Sequence, residues 1–362
     1  MPGLITHFKV LKESAKYLSN RKKKTYLLRS IESLFSTEEH WKAAQFGSIG
    51  PNIFDYNLKK NKKSNYGNEI SFFLHDGGST DIISWMLNKV SKYEDLNNEW
   101  ASIQRAYLYG YISHIICDSF LNPYIFYWSG FPDTYKRDEI NHYRKQNLLF
   151  KYNMDNYFFY SDETNDLSFD INKFIPLTAS KWGPVINPSV KSLILESIND
   201  VYPEIYKKII WRKSKNEDKK FQDSFGIIDL VPQLIKFSYW VKRKKSKNFV
   251  NFINKMKNIN FLFSDFIIQY PPQKKINRHV LNFHKERWQY PASRTGFQYE
   301  SIDNIMEHIC EKNVEIWEKI ESLLYENKKI NVVNDIDINA YTGVKGVQYH
   351  DMKLKNPVRL YF

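Results

Sequence analysis

The sequence is poor in cysteine and in the residues that interrupt helices. Thirteen glycines and thirteen prolines among 362 residues fall well below the roughly 12% that these two residues reach in ordinary proteins. Since both destabilise helix interiors, their scarcity favours a helical protein. The two cysteines, Cys117 and Cys310, cannot build a disulfide framework, and neither belongs to a Cys-x-x-Cys pair. This cysteine usage fits a reducing compartment, and we expect a cytoplasmic protein.

Long apolar runs are also missing. Residues 1–10 have neither the basic start nor the apolar stretch of a secretory signal peptide. The longest apolar candidate, residues 110–128, carries His114 and Asp118 in its interior. We therefore expect no signal peptide and no transmembrane helix, and peripheral contact with a membrane stays open.

Charge, by contrast, is abundant and biased to one sign. The chain has 53 Lys and Arg against 40 Asp and Glu, which gives a formal net charge of +13. A lysine-rich solvated surface explains this charge most simply, and attraction to an anionic membrane or to nucleic acid is the alternative. Basic clusters lie at residues 21–24, 59–63 and 242–247, but no nucleic-acid-binding motif accompanies them. A nucleic-acid partner is therefore disfavoured.

Apolar periodicity predicts helices along most of the chain. The predicted helices cover residues 4–20, 36–46, 79–93, 100–120, 137–160, 189–213, 226–245, 249–269 and 299–327. A tight buried turn is predicted at residues 47–52, where glycine and proline alternate with apolar residues. The segment 100–120 is apolar on nearly all sides, which indicates a helix at the centre of the fold. We predict an all-α protein.

The sequence marks domain boundaries less clearly than it marks helices. The sequence shows no internal repeat and no low-complexity linker. We predict a first half at residues 1–165, a helical second half at 166–327 packed on it, and an irregular C-terminal segment at 328–362. The two halves could equally form one continuous domain.

Two ionisable residues share one face of the predicted central helix. His114 and Asp118 are four residues apart, so both side chains project from the same face. A buried carboxylate needs a countercharge, and no lysine or arginine lies between Tyr107 and Asp133. If an arginine from elsewhere supplies the countercharge, His114 and Asp118 form a structural pair in the core. If a metal ion supplies it, they are metal ligands. His7, His75 and His142 add imidazoles from other segments, and imidazole with carboxylate suits zinc.

Several motifs carry a family resemblance. In chain order they are Thr6-His7, Phe-Gly-Ser-Ile-Gly-Pro-Asn-Ile-Phe at residues 46–54, Phe73-Leu-His75-Asp76, and Gly-Tyr-Ile-Ser-His-Ile-Ile-Cys-Asp at residues 110–118, followed by Asn122-Pro123-Tyr124. Together they resemble the bacterial zinc-dependent phospholipase C family, whose architecture is related to that of zinc-dependent nucleases. Trp-Gln-Tyr-Pro at residues 288–291 and the helix after it are similar to the distal part of that family. The resemblance implies a multi-helical fold of that type, a zinc site, and hydrolysis of a phospholipid phosphodiester by metal-activated water.

The resemblance also implies a set of metal ligands. His75 and His114 would hold one zinc ion, and Asp118 would bridge it to a second ion that His7 binds. In processed members of the family the N-terminal amine is another ligand, which Pro2 would supply here once Met1 is removed. His142 would lie near these ions.

Three positions depart from the family pattern. Asn52 stands where the family has an aspartate beside the metal-activated water, and an amide cannot take up a proton at pH 7. Asn122 and Gln146 stand where a histidine and a glutamate would bind a third zinc ion, and neutral amides are poor zinc ligands. We therefore expect one or two zinc ions, with the third site weak or empty. Asp55 or Asp76 could replace the missing base.

The leading hypothesis is a zinc-dependent phosphodiester hydrolase of phospholipase C type. Its substrate would be a phospholipid or another phosphate ester, and its basic surface would contact anionic headgroups. The alternative is a catalytically impaired member of the family that binds a lipid headgroup or a protein partner. A nuclease is a third hypothesis, supported by the related architecture and the net charge.

Overall fold

Helices dominate the structure, a computed structural model that describes residues 2–56, 66–130, 137–161, 173–179, 184–212, 225–243, 270–293, 296–326 and 335–352. The predicted all-α class is confirmed within these ranges. The helix predicted at residues 249–269 lies outside them.

The first part of the chain forms most of the helical scaffold. Its elements are α1 (Leu4–Asn20), α2 (Tyr26–Ser36), α3 (Glu38–Gly47), α4 (Tyr66–Phe73), α5 (Ser79–Val90), α6 (Glu99–Ser129) and α7 (Arg137–Ser161). A 3-10 turn at Gly50–Tyr56 follows α3, and a π-helical turn at Leu74–Gly78 joins α4 to α5. The predicted start of a helix at residue 36 is wrong, because Ser36 ends α2 and Thr37 is the N-cap of α3.

The second part contains α8 (Pro188–Val201), α9 (Pro203–Ile209), α10 (Ile227–Arg243) and α11 (Ile302–Glu326). The prediction of one helix over residues 189–213 is wrong, because Pro203 cannot continue α8 and begins α9 instead.

Short strands and turns complete the second part. Strand β1 (Leu177–Thr178) pairs antiparallel with β2 (Val185–Ile186), and Leu177 lies opposite Ile186. Strand β3 (Ile210–Arg212) pairs antiparallel with β4 (Phe225–Gly226), and Ile210 lies opposite Gly226. Single 3-10 turns occur at Gln273–Lys275, Arg278–Leu281 and Tyr349–Asp351.

Helix α6 is the centre of the fold. It is buried on nearly all sides and packs against α1, α3, α5, α7, α8 and α11. Its predicted end near residue 120 is wrong, because the helix continues through Pro123 to Ser129. Proline removes one backbone donor, that of the bond to the Ser119 carbonyl. Burial of residues 121–129 outweighs this single loss.

One hydrophobic core joins the two parts of the chain. Its buried members run from Ile5 in α1 to Ala340 near the C-terminus, and α1 packs directly against α11. The division near residue 165 stays a prediction. Within the described ranges, every helix is too short or too polar to cross a bilayer.

Close packing of α3 on α6 depends on glycine. A Cβ atom at Gly110 would lie 1.8 Å from the Ala44 carbonyl oxygen, and one at Gly47 would lie 2.1 Å from the Tyr107 carbonyl oxygen. Both distances are far below van der Waals contact, so either substitution would push the two helices apart.

We predict that Gly110→Ala lowers the free energy of unfolding by about 1–3 kcal/mol, since overpacking in a rigid core has this cost. Urea unfolding followed by circular dichroism measures it. Ser33→Ala, on the exposed side of α2, is the control and should change stability little. Equal midpoints for Gly110→Ala and the wild type would contradict the packing described here.

Candidate metal centre

Four of the predicted ligands meet in the interior of the protein. His7 comes from the second turn of α1, His75 from the π-helical turn, and His114 and Asp118 from successive turns of α6. None of the four is more than 1% exposed. The helical spacing of His114 and Asp118 thus brings both into one buried site with the two more distant histidines.

The three imidazoles surround the carboxylate of Asp118. Its Oδ1 lies 3.3 Å from His7 Nε2. Its Oδ2 lies 3.1 Å from His75 Nε2 and 3.3 Å from His114 Nε2. The rings of His7 and His114 are stacked with their centroids 4.1 Å apart. Asp118 therefore presents one oxygen to His7 and the other to the remaining pair.

Backbone carbonyls fix the tautomers of two of these rings. His75 Nδ1 lies 2.6 Å from the Ser71 carbonyl oxygen, and His114 Nδ1 lies 2.9 Å from the Ser48 carbonyl oxygen. A carbonyl only accepts, so each Nδ1 must carry the proton, and each Nε2 of a neutral ring carries a lone pair. The two Nε2 atoms are 2.9 Å apart. Two lone pairs at this distance repel each other unless a proton or a cation lies between them.

The turn that carries the Ser48 carbonyl needs glycine at position 50. Gly50 has a φ of +56°, and a Cβ atom there would lie 2.4 Å from Cγ of His114. The buried turn predicted from residues 47–52 is confirmed, and it packs its backbone directly against the His114 ring.

Electrostatics keep the carboxylate charged and His7 neutral. Burial alone would raise the pKa of Asp118, but His114, His7 and His75 outweigh it and lower this pKa well below its ordinary value. Burial, and then the neighbouring His114, lower the pKa of His7 to about 3. Burial also lowers the pKa of His75. Among the described residues, the groups that compensate this buried charge are the three histidines, and neither oxygen of Asp118 has another hydrogen-bond donor.

The donor set fits a metal ion. The ligand atoms of His7, His114 and Asp118 all lie within 4.8 Å of one another, and His75 Nε2 contacts two of these residues. Two ligands each about 2.0–2.1 Å from one tetrahedral zinc ion lie about 3.3 Å apart. The distances of 3.1–3.3 Å from the Asp118 oxygens to the three imidazoles, and of 2.9 Å between the Nε2 atoms of His75 and His114, are close to this spacing. The buried group could therefore hold a metal ion.

His7 is positioned through the residue before it. Thr6 donates its backbone N–H and its hydroxyl to Asp155 Oδ1, at 2.9 Å and 2.6 Å. Tyr270 donates its hydroxyl to Asp155 Oδ2 at 3.1 Å. A Cβ atom at Gly3 would collide with this carboxylate. The buried Asp155 of α7 thus holds the first turn of α1, where an anion also complements the helix dipole.

Two of the amide positions lie close to this group. Asn122 follows Asp118 by one turn of α6, is fully buried, and donates its Nδ2 to the Ala340 carbonyl at 2.7 Å. Asn52 is on the 3-10 turn beside Gly50. The Oδ1 atoms of Asn52 and Asn122 are both buried and have no hydrogen-bond donor among the described residues.

Other predicted site residues are not part of the buried group. His142 on α7 is exposed, and its predicted place near the ions stays a prediction. Gln146 is buried one turn further along α7, and Asp55 is exposed on the 3-10 turn. Pro2, whose amine would ligate a metal once Met1 is removed, is the first described residue and is buried. This ligand stays a prediction.

Asp76 has a structural use that sequence reasoning missed. Its Oδ1 accepts hydrogen bonds from Asn339 Nδ2 and from the Tyr349 backbone N–H, both at 2.7 Å. The carbonyls of Ser48 and Ser71 were also missed as partners of the histidines. Ser71 precedes His75 by four residues and could have been found from helical spacing, but the contact of Ser48 with His114 depends on the fold.

Comparisons with known proteins gave no relative: no family model, no curated protein and no solved structure matches this chain. The conclusions about this centre therefore rest on its own residues.

Stability of the metal-free protein should fall with acid. Folding holds His7 at a pKa of about 3, whereas an unfolded histidine has about 6.5. Between these values the unfolded chain binds more protons, so stability is complete above pH 6.5 and declines below it, by up to about 1.4 kcal/mol per pH unit for this group. We predict that His7→Gln flattens this decline. Urea unfolding in EDTA from pH 7.5 to pH 5 measures it.

The matched control is His279→Gln, which removes an exposed histidine and should keep the wild-type slope. Parallel pH curves for His7→Gln and the wild type would show that His7 is not held neutral by the fold.

Proposed function

We propose that this protein is a zinc-dependent phosphodiester hydrolase of phospholipase C type, with a multi-helical architecture of that family. The observation that carries the proposal is the buried group of His7, His75, His114 and Asp118. In this group the Nε2 atoms of the imidazoles lie against the Asp118 carboxylate, and neither carboxylate oxygen has another hydrogen-bond partner among the described residues. Such a set of ligands is typical of zinc sites with imidazole and carboxylate ligands.

Each residue has a defined role in this proposal. His75 and His114 would hold an ion through Nε2, because the Ser71 and Ser48 carbonyls occupy their Nδ1 atoms. Asp118, whose two oxygens lie beside His7 and beside the other two histidines, would be a ligand as well, with His7. Zinc bound there would supply Lewis acidity and lower the pKa of water toward about 7.

Charge selects the substrate class. Three neutral imidazoles and one carboxylate leave a site with one or two dications net positive, which favours an anionic phosphate ester. The chain as a whole has a net charge of +13, which would draw it to anionic lipid headgroups. A phospholipid is therefore the proposed substrate.

A catalytically impaired relative is the second candidate. It is favoured by the amide at Asn52, by the exposure of His142, and by Asn122, whose Nδ2 is used by the Ala340 carbonyl. In this case the centre would hold a metal for stability, and the protein would bind a headgroup or a protein partner without cleaving it.

Metal content and hydrolysis separate the two candidates. We predict one or two zinc ions per chain in protein purified without added zinc, measured by atomic emission. His114→Ala and Asp118→Ala should each remove most of this zinc and lower hydrolysis of a chromogenic phosphocholine ester by at least 100-fold. His279→Ala is the control for loss of a surface histidine. Zinc without hydrolysis would support the impaired relative, and absence of zinc would refute both.

The amide at Asn52 gives a second prediction. If it weakens catalysis by failing to accept a proton, Asn52→Asp should raise the hydrolysis rate, by about 10-fold or more given the usual size of general-base effects. Zinc affinity, measured by competition with a fluorescent chelator, should rise too, since a carboxylate adds negative charge near the ions. Unchanged values for both would mean that the side chain at position 52 does not face the metals.

A further inference from the structure

A C-terminal segment lies over the buried centre. Residues 339–349, here called the strap, contact the His75 turn and the part of α6 that follows Asp118. The strap is more than 200 residues away from these elements in sequence, and it is built mainly from turns.

The strap holds His75 from two sides. The Ala340 backbone N–H donates to the His75 carbonyl at 3.0 Å. The Tyr341 ring packs against the His75 imidazole with the centroids 5.5 Å apart. His75 lies in the π-helical turn, where Gly77 has a φ of +117° and Asp76 is also non-helical. Regular helical hydrogen bonds are interrupted there, so contacts from outside the turn contribute to its conformation.

Asp76 anchors both ends of the strap. Asn339 Nδ2 and the Tyr349 N–H donate to the same Oδ1 of Asp76, each at 2.7 Å. The Oδ1 of Asn339 accepts from the backbone N–H groups of Tyr341 and Thr342, at 2.9 Å and 3.1 Å. The oxygen of the Asn339 amide thus stabilises the turn inside the strap, and its nitrogen binds the strap to Asp76.

Helix α6 provides the third anchor. Asn122 donates Nδ2 to the Ala340 carbonyl at 2.7 Å. Gly343 lies so close to α6 that a Cβ atom would be 2.4 Å from the Ser119 carbonyl oxygen, the acceptor that Pro123 leaves without its helical donor. A small apolar cluster under the strap includes Phe126 and Tyr341.

We propose that the strap positions His75 and closes the metal centre, and that Asn339 is the residue that keeps it closed. The inference rests on the proposed metal site but not on hydrolysis. The ligands are at most 1% exposed, so a metal ion or a reagent reaches them only when part of the surrounding structure opens, and we assign this opening to release of the strap from Asp76.

Asn339→Asp is the sharpest test. The new side chain keeps an oxygen for the turn and replaces the donating nitrogen by a second carboxylate oxygen, which faces Asp76 and repels it. In the double variant Asn339→Asp with Asp76→Asn, the repulsion between two carboxylates is removed, and the amide at position 76 can donate to the carboxylate at position 339 or accept from the Tyr349 N–H. Asp76→Asn alone keeps an oxygen that accepts from Asn339 and Tyr349.

Two measurements are made on each variant. Carbethoxylation of His75 by diethyl pyrocarbonate in the metal-free protein, mapped by mass spectrometry, reports access to the ligands. The rate of zinc release to a chromogenic chelator reports whether the strap closes the metal centre. We expect Asn339→Asp to speed both by at least 10-fold, the double variant to return both toward wild type, and Asp76→Asn alone to have little effect.

Asp200→Asn is the matched control. It removes one negative charge at an exposed position of α8, outside the strap, and both rates should stay at the wild-type value. Circular dichroism verifies that every variant is folded, and the rescued double variant separates local repulsion from general instability.

Wild-type rates of carbethoxylation and zinc release in folded Asn339→Asp would overturn the proposal, and so would faster rates that the double variant does not reduce. Wild-type protein that binds no zinc would refute the proposed function. The carbethoxylation rates in metal-free protein would still decide whether the strap closes the His75 site.

Discussion

A buried negative charge governs this structure. The Asp118 carboxylate lies inside an apolar helix, and the groups nearest to its oxygens are three imidazoles. A carboxylate in such a place costs several kcal/mol unless neighbouring groups compensate its charge, and a cation held by the same histidines would add to that compensation. The start of α1, the turn after α3, the π-helical turn and α6 all converge on this point. Their arrangement makes sense as support for a cation held at the centre.

Much of this architecture could be read from the sequence because it depends on local patterns. Helical periodicity and the spacing of His114 and Asp118 act over one or two turns, and both gave the right element and the right face. Helix ends near proline were predicted less well. The predicted helix 189–213 runs through Pro203, which ends α8, whereas the predicted helix 100–120 stops before Pro123, which lies inside α6. Burial of the surrounding residues decides the outcome, and it cannot be read from proline alone.

Longer-range features escaped prediction for physical reasons. The exposure of His142 depends on how α7 is rotated against its neighbours, which the weak amphipathic pattern of that helix does not specify. The bond from Asn122 to the Ala340 carbonyl joins residues 218 positions apart. No local signal marks such a contact.

The chain order of the centre has a consequence for its assembly in the cell. His7, His75, His114 and Asp118 all leave the ribosome well before residues 339–349. At about 5–20 residues per second, the intervening stretch of roughly 220 residues takes on the order of 10–40 s to synthesise. During that interval all four residues have been synthesised and the strap has not. Under the closure proposed above, a metal ion would enter most easily before the strap is made.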